Sequence, residues 1–160
     1  MGALGSTEAI SYHRQMGIRR MEHVGIAVGD LAAAIEFFVE LGLELQSEWS
    51  IDERWVDRVI GLEGVQVDNA MLRAPDGNGY LELFKFNSPP SPTGDRDAPA
   101  NALGIRHIAF LVEDIDAAVA GLRARGEKLV GEVEQYEDVY KLCYVRGPEG
   151  IIVALAEQLS

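Results

Sequence analysis

The sequence predicts an α+β domain built from two halves that repeat one another. Segments 21–34 and 105–118 match in character at nearly every position, and each places a histidine, His23 or His107, in the middle of a short apolar strand. A proline-containing turn and a further apolar strand close each half. This repeat of a strand, a helix and about three more strands indicates one fold with internal pseudo-symmetry.

Composition favours a compact domain that acts on a small molecule. The 160 residues are 48% hydrophobic, enough to bury one sizeable core. The formal net charge of −12 disfavours binding to nucleic acid or to an anionic membrane. The lone Cys143 has no partner for an internal disulfide, and residues 1–17 lack a basic start and a continuous apolar stretch. We therefore expect a cytoplasmic protein.

The local pattern accounts for each repeated element. Alternation in the first strand of each half puts the bulky apolar residues on one face and the histidine, with small residues, on the other. Asp30 and Asp114 stand where helix N-caps are expected, before Ala-rich segments with apolar residues three or four apart. Gly42 and Gly126 suit the left-handed residue that ends a helix.

Composition also predicts the boundaries. Residues 1–18 are expected to be a flexible N-terminal segment, 19–87 the first module, 88–102 a proline-rich linker and 103–159 the second module, all within one domain. Segment 52–61 predicts a short helix capped by Asp52 and ended by Gly61, without a counterpart in the second half. Such an insert is a place to expect substrate contacts, and its candidates are Arg54 and Trp55.

A metal site is the main functional prediction. Glu82 lies in an otherwise apolar strand, where a carboxylate is costly unless it is paired or binds a cation. A single strand histidine is more often structural than a ligand, but His23 and His107 share a repeated position. Together the three residues form a two-histidine, one-carboxylate set that suits one divalent ion, Zn, Ni, Co, Mn or Fe(II).

The paired histidine strands, the Pro-Asp-Gly and Pro-Glu-Gly turns and the Leu-Glu-Leu-Phe strand at 81–84 resemble the vicinal oxygen chelate superfamily over about residues 19–159. That superfamily includes glyoxalase I, methylmalonyl-CoA epimerase, extradiol dioxygenases and the fosfomycin and bleomycin resistance proteins. The resemblance implies two βαβββ modules whose curled mixed sheets form a cup around a divalent metal. It places the first-strand ligands at His23 and His107 and the last-strand ligand at Glu82.

One position departs from the family pattern. Where the second module should repeat Glu82 the sequence has Ala154, although glyoxalase I and the epimerase carry there a metal-binding carboxylate that takes part in proton transfer. Other residues must then supply acid–base chemistry. The candidates Tyr136, Tyr140 and Tyr144 lie on one face if 136–145 is one continuous strand.

Three functions compete at this point. The leading one is lyase or isomerase chemistry on a small oxygen-rich substrate, through a metal-bound enediolate or enolate. The alternatives are an Fe(II) extradiol-type dioxygenase and a metal-free ligand- or drug-binding protein of the bleomycin-resistance type. We also expect a homodimer, because two curled modules leave strand edges and an apolar cup face that a partner can cover.

Overall fold

The computed structural model of the protein describes residues 17–160. The predicted N-terminal segment 1–18 therefore lies almost entirely outside the described residues. Within them, no helix is both long enough and apolar enough to cross a membrane.

The first module is a four-stranded mixed sheet with two helices. Along the chain its elements are β1 (Val24–Ala27), α1 (Leu31–Glu40), β2 (Glu44–Ile51), α2 (Arg54–Ile60), β3 (Gln66–Arg73) and β4 (Tyr80–Ser88). The strand order is β1-β4-β3-β2, with β1 parallel to β4 and the other neighbours antiparallel. The parallel pair places the start of β1 beside the start of β4, with Val24 opposite Leu81.

The second module repeats this plan without a counterpart of α2. Its elements are β5 (His107–Leu111), α3 (Ile115–Ala124), β6 (Glu134–Tyr136), β7 (Tyr140–Arg146) and β8 (Ile152–Gln158), with a 3₁₀ turn at Pro148–Gly150. The strand order, β5-β8-β7-β6, mirrors that of the first sheet. The predicted α+β fold of two βαβββ modules is confirmed.

Helix ends follow the repeated signals. Asp30 accepts a hydrogen bond from the Ala33 amide at 3.0 Å, and Asp114 accepts one from the Ala117 amide at 2.9 Å. Gly42, which follows α1, has a φ of 108°, a left-handed value that glycine adopts without strain. The same aspartate and glycine signals therefore set the bounds of both helices.

The predicted cap of α2 was wrong. Glu53, not Asp52, holds the N-cap position, and its side chain makes no capping hydrogen bond. The helix begins one residue later because Glu53 still has an extended backbone, with ψ at 141°. Gly61 ends the helix in the left-handed conformation, as expected.

One core joins the two modules. The side of each sheet that faces its helix contributes fully buried residues, among them Phe38, Leu72, Leu83, Val153 and Leu155. Each such side chain contributes about 1.5–3 kcal/mol relative to an exposed one. Because the cores of both sheets merge on this side, the opposite faces of the sheets point outward.

Polar contacts also tie the modules together. The Glu149 carboxylate, in the turn before β8, accepts a hydrogen bond from the Gly29 amide at 2.7 Å and pairs with Arg96 of the connecting segment. Arg125, which follows α3, pairs with Glu36 and Glu40 of α1. These contacts fix the turn after β1 and the end of α3 against the other module.

Candidate metal centre

The face of the first sheet that points away from α1 carries two of the predicted ligands, and we call it the first cup face. Strand pairing sets Gly25 on one side of Glu82 and Met71 on the other. Because side chains alternate along a strand, Glu82 shares this face with Phe84, whereas Leu83 between them points into the core.

His23 reaches Glu82 from the neighbouring strand. The Nε2 atom of His23 lies 3.0 Å from an Oε atom of Glu82, and both side chains are partly exposed. On its other side, Nδ1 of His23 contacts the Glu22 carboxylate. A carboxylate on Nδ1 orients an imidazole ring and leaves Nε2 free for a ligand, an arrangement common among metal-binding histidines.

Glu22 is a site residue that the sequence prediction missed. Its only signal was its position next to His23, which is too common to be informative. The equivalent residue of the second module is Arg106, which donates hydrogen bonds to the carbonyls of Ala98 and Pro99. His107 therefore has no carboxylate neighbour of this kind, and the repeat is not symmetric at this position.

Gly25 leaves room for the Phe84 ring beside the pair. A Cβ atom on this glycine would lie 2.9 Å from the Phe84 ring, closer than van der Waals contact allows. The glycine is thus required by the ring that covers it. Ala27, two residues on, has the other small side chain of the strand on this face.

The second cup face is the corresponding face of the second sheet. Pairing of β5 with β8 sets Ala109 beside Ala154, just as Gly25 lies beside Glu82. Ala154 therefore stands at the position of Glu82, as the sequence alignment predicted. His107 is exposed, and its ring lies against that of Tyr144, with 5.2 Å between the ring centroids.

Both histidines stand at the start of their strands and not in the middle. His23 immediately precedes β1, and His107 is the first residue of β5. The strands begin later than the apolar pattern suggested, because strand pairing starts only opposite Leu81 and Ile152.

The described chain brings together His23 and Glu82 but leaves His107 on the other sheet. The two sheets are separate and share no paired strands. Among residues 17–160, no three His, Cys, Asp or Glu side chains lie close enough to hold one metal ion. The three-ligand set therefore stays a prediction, with two members placed in contact.

The tyrosine candidates do not lie on one strand. Tyr136 ends β6 and Tyr140 begins β7, so the segment is a hairpin and the condition of one continuous strand is not met. Tyr136 and Tyr140 are a cross-strand pair, which still puts them on one face. Only Tyr144 contacts a predicted ligand, His107.

The insert α2 lies over the far end of the first cup face. Its buried residue Val56 clusters with Val67 and with Phe86, which is four residues beyond Glu82 in β4. Arg54 and Trp55 are exposed, and the Trp55 indole donates to Glu53 at 2.7 Å. Their predicted contact with substrate remains a prediction.

Two further polar residues of the first cup face were not predicted. Arg73 donates to Glu44 at 2.8 Å, and this hydrogen bond raises the pKa of the guanidinium above its ordinary value. Asn69 is buried and donates two long hydrogen bonds, of 3.4 and 3.5 Å, to the carbonyls of Val67 and Trp49. No periodic pattern in the sequence distinguishes them from other strand residues.

A cavity of about 1160 Å³ lies between the modules on the His23 side. Tyr80 and Leu43 line it from the first module, and Phe110 and Leu111 from the second. Its walls are mostly apolar, so His23 borders an apolar space.

The model of the Glyoxalase/Bleomycin resistance protein/Dioxygenase superfamily matches residues 22–144, which include the first module, the second module as far as β7 and the three predicted ligands. The chain belongs to this superfamily. The match confirms the family that the histidine strands and proline turns resemble. Members of the superfamily often bind a divalent metal ion.

Relatives of known sequence cover most of the chain. YaeR of Escherichia coli (strain K12), an uncharacterised protein, is 32% identical over 145 residues, 89% of this chain and 99% of that protein. The 2-epi-5-epi-valiolone epimerase of an Actinomyces species is 36% identical over 129 residues, 76% of this chain and 68% of the epimerase. One relative in the superfamily is therefore an epimerase.

Solved structures agree with the fold. A glyoxalase family protein from Bacillus cereus is 45% identical, covers 93% of this chain over its whole length and superposes with a TM-score of 0.89. The trypanothione-dependent glyoxalase I of Leishmania major is 25% identical, with 88% and 87% of the two chains covered and a TM-score of 0.62. Both share the glyoxalase-like arrangement of two modules with this chain.

Proposed function

We propose that the protein is a divalent-metal-dependent epimerase, or a closely related isomerase or lyase, that acts on a small oxygen-rich carbonyl compound. The observation that carries the proposal is the contact of His23 Nε2 with Glu82 at 3.0 Å on an outward face with a glycine beside it. The similarity to 2-epi-5-epi-valiolone epimerase supports the reaction type. Epimerisation inverts one stereocentre and requires a proton to leave and return.

The donor set fits a divalent metal. Imidazole nitrogen and carboxylate oxygen are ligands for Zn, Ni, Co, Mn and Fe(II), and Glu82 occupies an apolar strand in which an uncompensated carboxylate is costly. Glu22 on the far side of the imidazole holds the ring so that Nε2 points toward Glu82. When bound, such an ion supplies Lewis acidity that stabilises negative charge developing on a substrate oxygen.

Tyr144 is our candidate for moving the proton. Its ring lies against His107, so its hydroxyl belongs to the same face as that predicted ligand. Ala154 provides no carboxylate at the position equivalent to Glu82, which leaves acid–base chemistry to another group. Tyr136 and Tyr140 are weaker candidates because they lie at the far end of the second cup face, and Arg54 and Trp55 are retained as substrate contacts.

We further propose a two-fold homodimer with two equivalent sites, in which His23 and Glu82 of one copy meet His107 of the other. The proposal is supported by the placement of the two ligand groups on separate sheets whose cup faces both point outward. A two-fold axis that brings one first cup face onto a second cup face must do so twice, because such an interface repeats itself.

Metal content and proton exchange test the proposal. Protein purified without added metal should contain about one divalent ion per chain by elemental mass spectrometry. In D₂O, it should transfer deuterium to the inverted carbon of 2-epi-5-epi-valiolone. Tyr144→Phe should keep the metal and lose most of the exchange. Metal-free protein that neither binds added divalent metal nor then exchanges deuterium into the substrate would refute the enzyme proposal.

The metal-free binding protein is the second candidate. It is favoured by the composition of the second cup face, where Ala109, Ala154 and Ala156 are small and apolar and Ala154 stands in place of Glu82. Tight binding of an apolar ligand by metal-free protein, unchanged by His23→Ala, would favour this function. A dioxygenase would instead consume oxygen with Fe(II), which the same preparation can test.

A further inference from the structure

We infer that α2 of one copy packs on the second cup face of a second copy, and so forms a lid across the subunit boundary. The inference rests on the dimer part of the proposed function. This helix is the insert that has no counterpart in the second module, and it carries none of the three predicted metal ligands.

An exposed apolar stripe runs along α2 and the turn after it. Trp55 and Val59 are four residues apart, so they lie on one side of the helix, and Leu62 follows in the turn after it. Their exposed fractions are 48%, 73% and 41%. Val56 is the buried residue of the helix and packs with Val67 and Phe86 of the first sheet. A short helix that buries one residue and exposes two large apolar ones is suited to a contact on its exposed side.

The second cup face presents a matching apolar surface. Leu111, Tyr136 and Leu142 are exposed by 71%, 63% and 44%. Strand register puts Ala156 here in place of Phe84 of the first module, and Leu111 in place of Ala27. No helix covers this face in the second module, whereas α2 covers part of the equivalent face in the first.

The charges beside these apolar residues are complementary. Arg54 and Arg58 flank the stripe on α2, and neither takes part in a salt bridge within the described part of the chain. Glu134 and Glu137 flank Tyr136 and are exposed. In a protein with a net charge of −12, two arginines without partners next to an apolar stripe favour an acidic partner surface.

A second copy fits better than the same chain. Leu111, Tyr136 and Leu142 remain exposed in the single chain, so its own α2 does not lie on them. A second copy carries both the stripe and the apolar surface of the second cup face, and a two-fold axis lets each copy supply one to the other. The contact also closes the cup over the site in which His23 and Glu82 would meet His107.

Cross-linking between differently tagged chains, each with one introduced cysteine, tests the contact. Val59→Cys chains mixed with Leu142→Cys chains should be linked by a short bis-maleimide, and linkage between different tags proves that it joins two copies. The native Cys143 is buried, and burial raises the pKa of its thiol, so it stays unreactive. Val39→Cys on α1, also exposed, is the matched control and should not be linked to Leu142→Cys.

Charge reversal gives an independent measurement. Arg58→Glu should weaken dimerisation on the order of tenfold in sedimentation experiments, and Glu134→Arg in the same chain should restore it. Arg123→Glu on α3 is the control and should have no effect. A dimer that forms normally but gives no 59–142 linkage and no charge rescue would overturn the lid while leaving the dimer intact. A monomer with a full metal site would instead overturn the dimer.

Discussion

Glu82 and Ala154 occupy equivalent positions in the two modules, yet only the first is a carboxylate. Their neighbours also differ in size between the modules, since Phe84 corresponds to Ala156 and the covered Gly25 to Ala109. The Phe84 ring therefore covers part of the first cup face, and the second has only a methyl group at that position. The two modules share a backbone plan but differ on their outward faces, so that one carries the carboxylate of Glu82 and the other a methyl group there.

Charged cross-strand pairs differ between the two sheets in another way. Asp68 pairs with Lys85 in the first sheet, and the equivalent positions of the second hold Lys141 and Glu157, with the charges exchanged. Helix caps, by contrast, are the same residue in both modules. Attraction between strands survives an exchange of signs, whereas an N-cap requires an acceptor and cannot be reversed.

The largest expected effect tests whether both modules contribute a ligand. His23→Ala and His107→Ala should each weaken divalent-metal binding by at least about a hundredfold, because even a group that only hydrogen-bonds a ligand is worth about 10–100-fold. Titration calorimetry with Ni²⁺ or Zn²⁺ measures this, with Arg123→Ala on α3, a helix that carries none of the predicted ligands, as the control.

An effect of His23→Ala alone would confine the site to the first module. Full occupancy in the double variant His23→Ala, His107→Ala would contradict the assignment of both residues.

The second prediction makes the modules alike at their main difference. Ala154→Glu should tighten metal binding on the order of tenfold, because it adds a carboxylate at the position equivalent to Glu82. Ala156→Glu, two residues farther along the same face, should not tighten metal binding. Equal affinities for both variants and the unchanged protein would mean that Ala154 does not face the metal.

The third prediction concerns the covered glycine. Gly25→Ala should destabilise the protein by about 1–3 kcal/mol, because its Cβ would overlap the Phe84 ring. Ala109→Ser at the equivalent position should cost less, since Ala156 leaves room. In a Phe84→Ala background the cost of Gly25→Ala should nearly vanish, and urea unfolding of the four proteins measures that coupling. An unchanged cost would show that backbone conformation, and not the ring, requires glycine at this position.

The smallest expected effect is on the pH dependence of stability, which Asp68 and Lys141 change at opposite ends of the pH range. Hydrogen bonds from Ser50 and, to a lesser extent, from Asn87 lower the pKa of Asp68 below its ordinary value of 3.8. The stabilisation that the ionised carboxylate contributes is therefore present above pH 3.8 and is lost as the pH falls through the lowered pKa. A hydrogen bond to Asp116 raises the pKa of Lys141 from 10.5, so its stabilisation is lost as the pH rises through the raised value.

Asp68→Asn should therefore reduce the loss of stability below pH 3.8, and Lys141→Gln the loss above pH 10.5. Urea midpoints measured across pH report both changes, and each variant is the control for the other. A change at the wrong end of the pH range would show that these contacts do not act as their geometry suggests.

Much of the fold could be predicted because its signals are local. Asp30, Asp114, Gly42 and Gly126 act within one turn of the chain, and alternation within a strand requires only neighbouring residues. The repeat of His23 and His107 gave the symmetry, and the match of Ala154 to Glu82 followed from aligning the halves. The cap of α2 was misjudged because two acidic residues, Asp52 and Glu53, stand side by side and only backbone angles separate them.

The sequence by itself determined the two modules, the N-caps of α1 and α3 and the sheet face on which each predicted ligand lies, since each depends on residues close in the chain. Tertiary structure alone decided which of those residues meet. It placed Glu22 and Glu82 on either side of His23, left His107 against Tyr144 on another sheet and put the apolar stripe of α2 on the surface. Those distances depend on how two curled sheets pack through a shared core, which no local periodicity encodes.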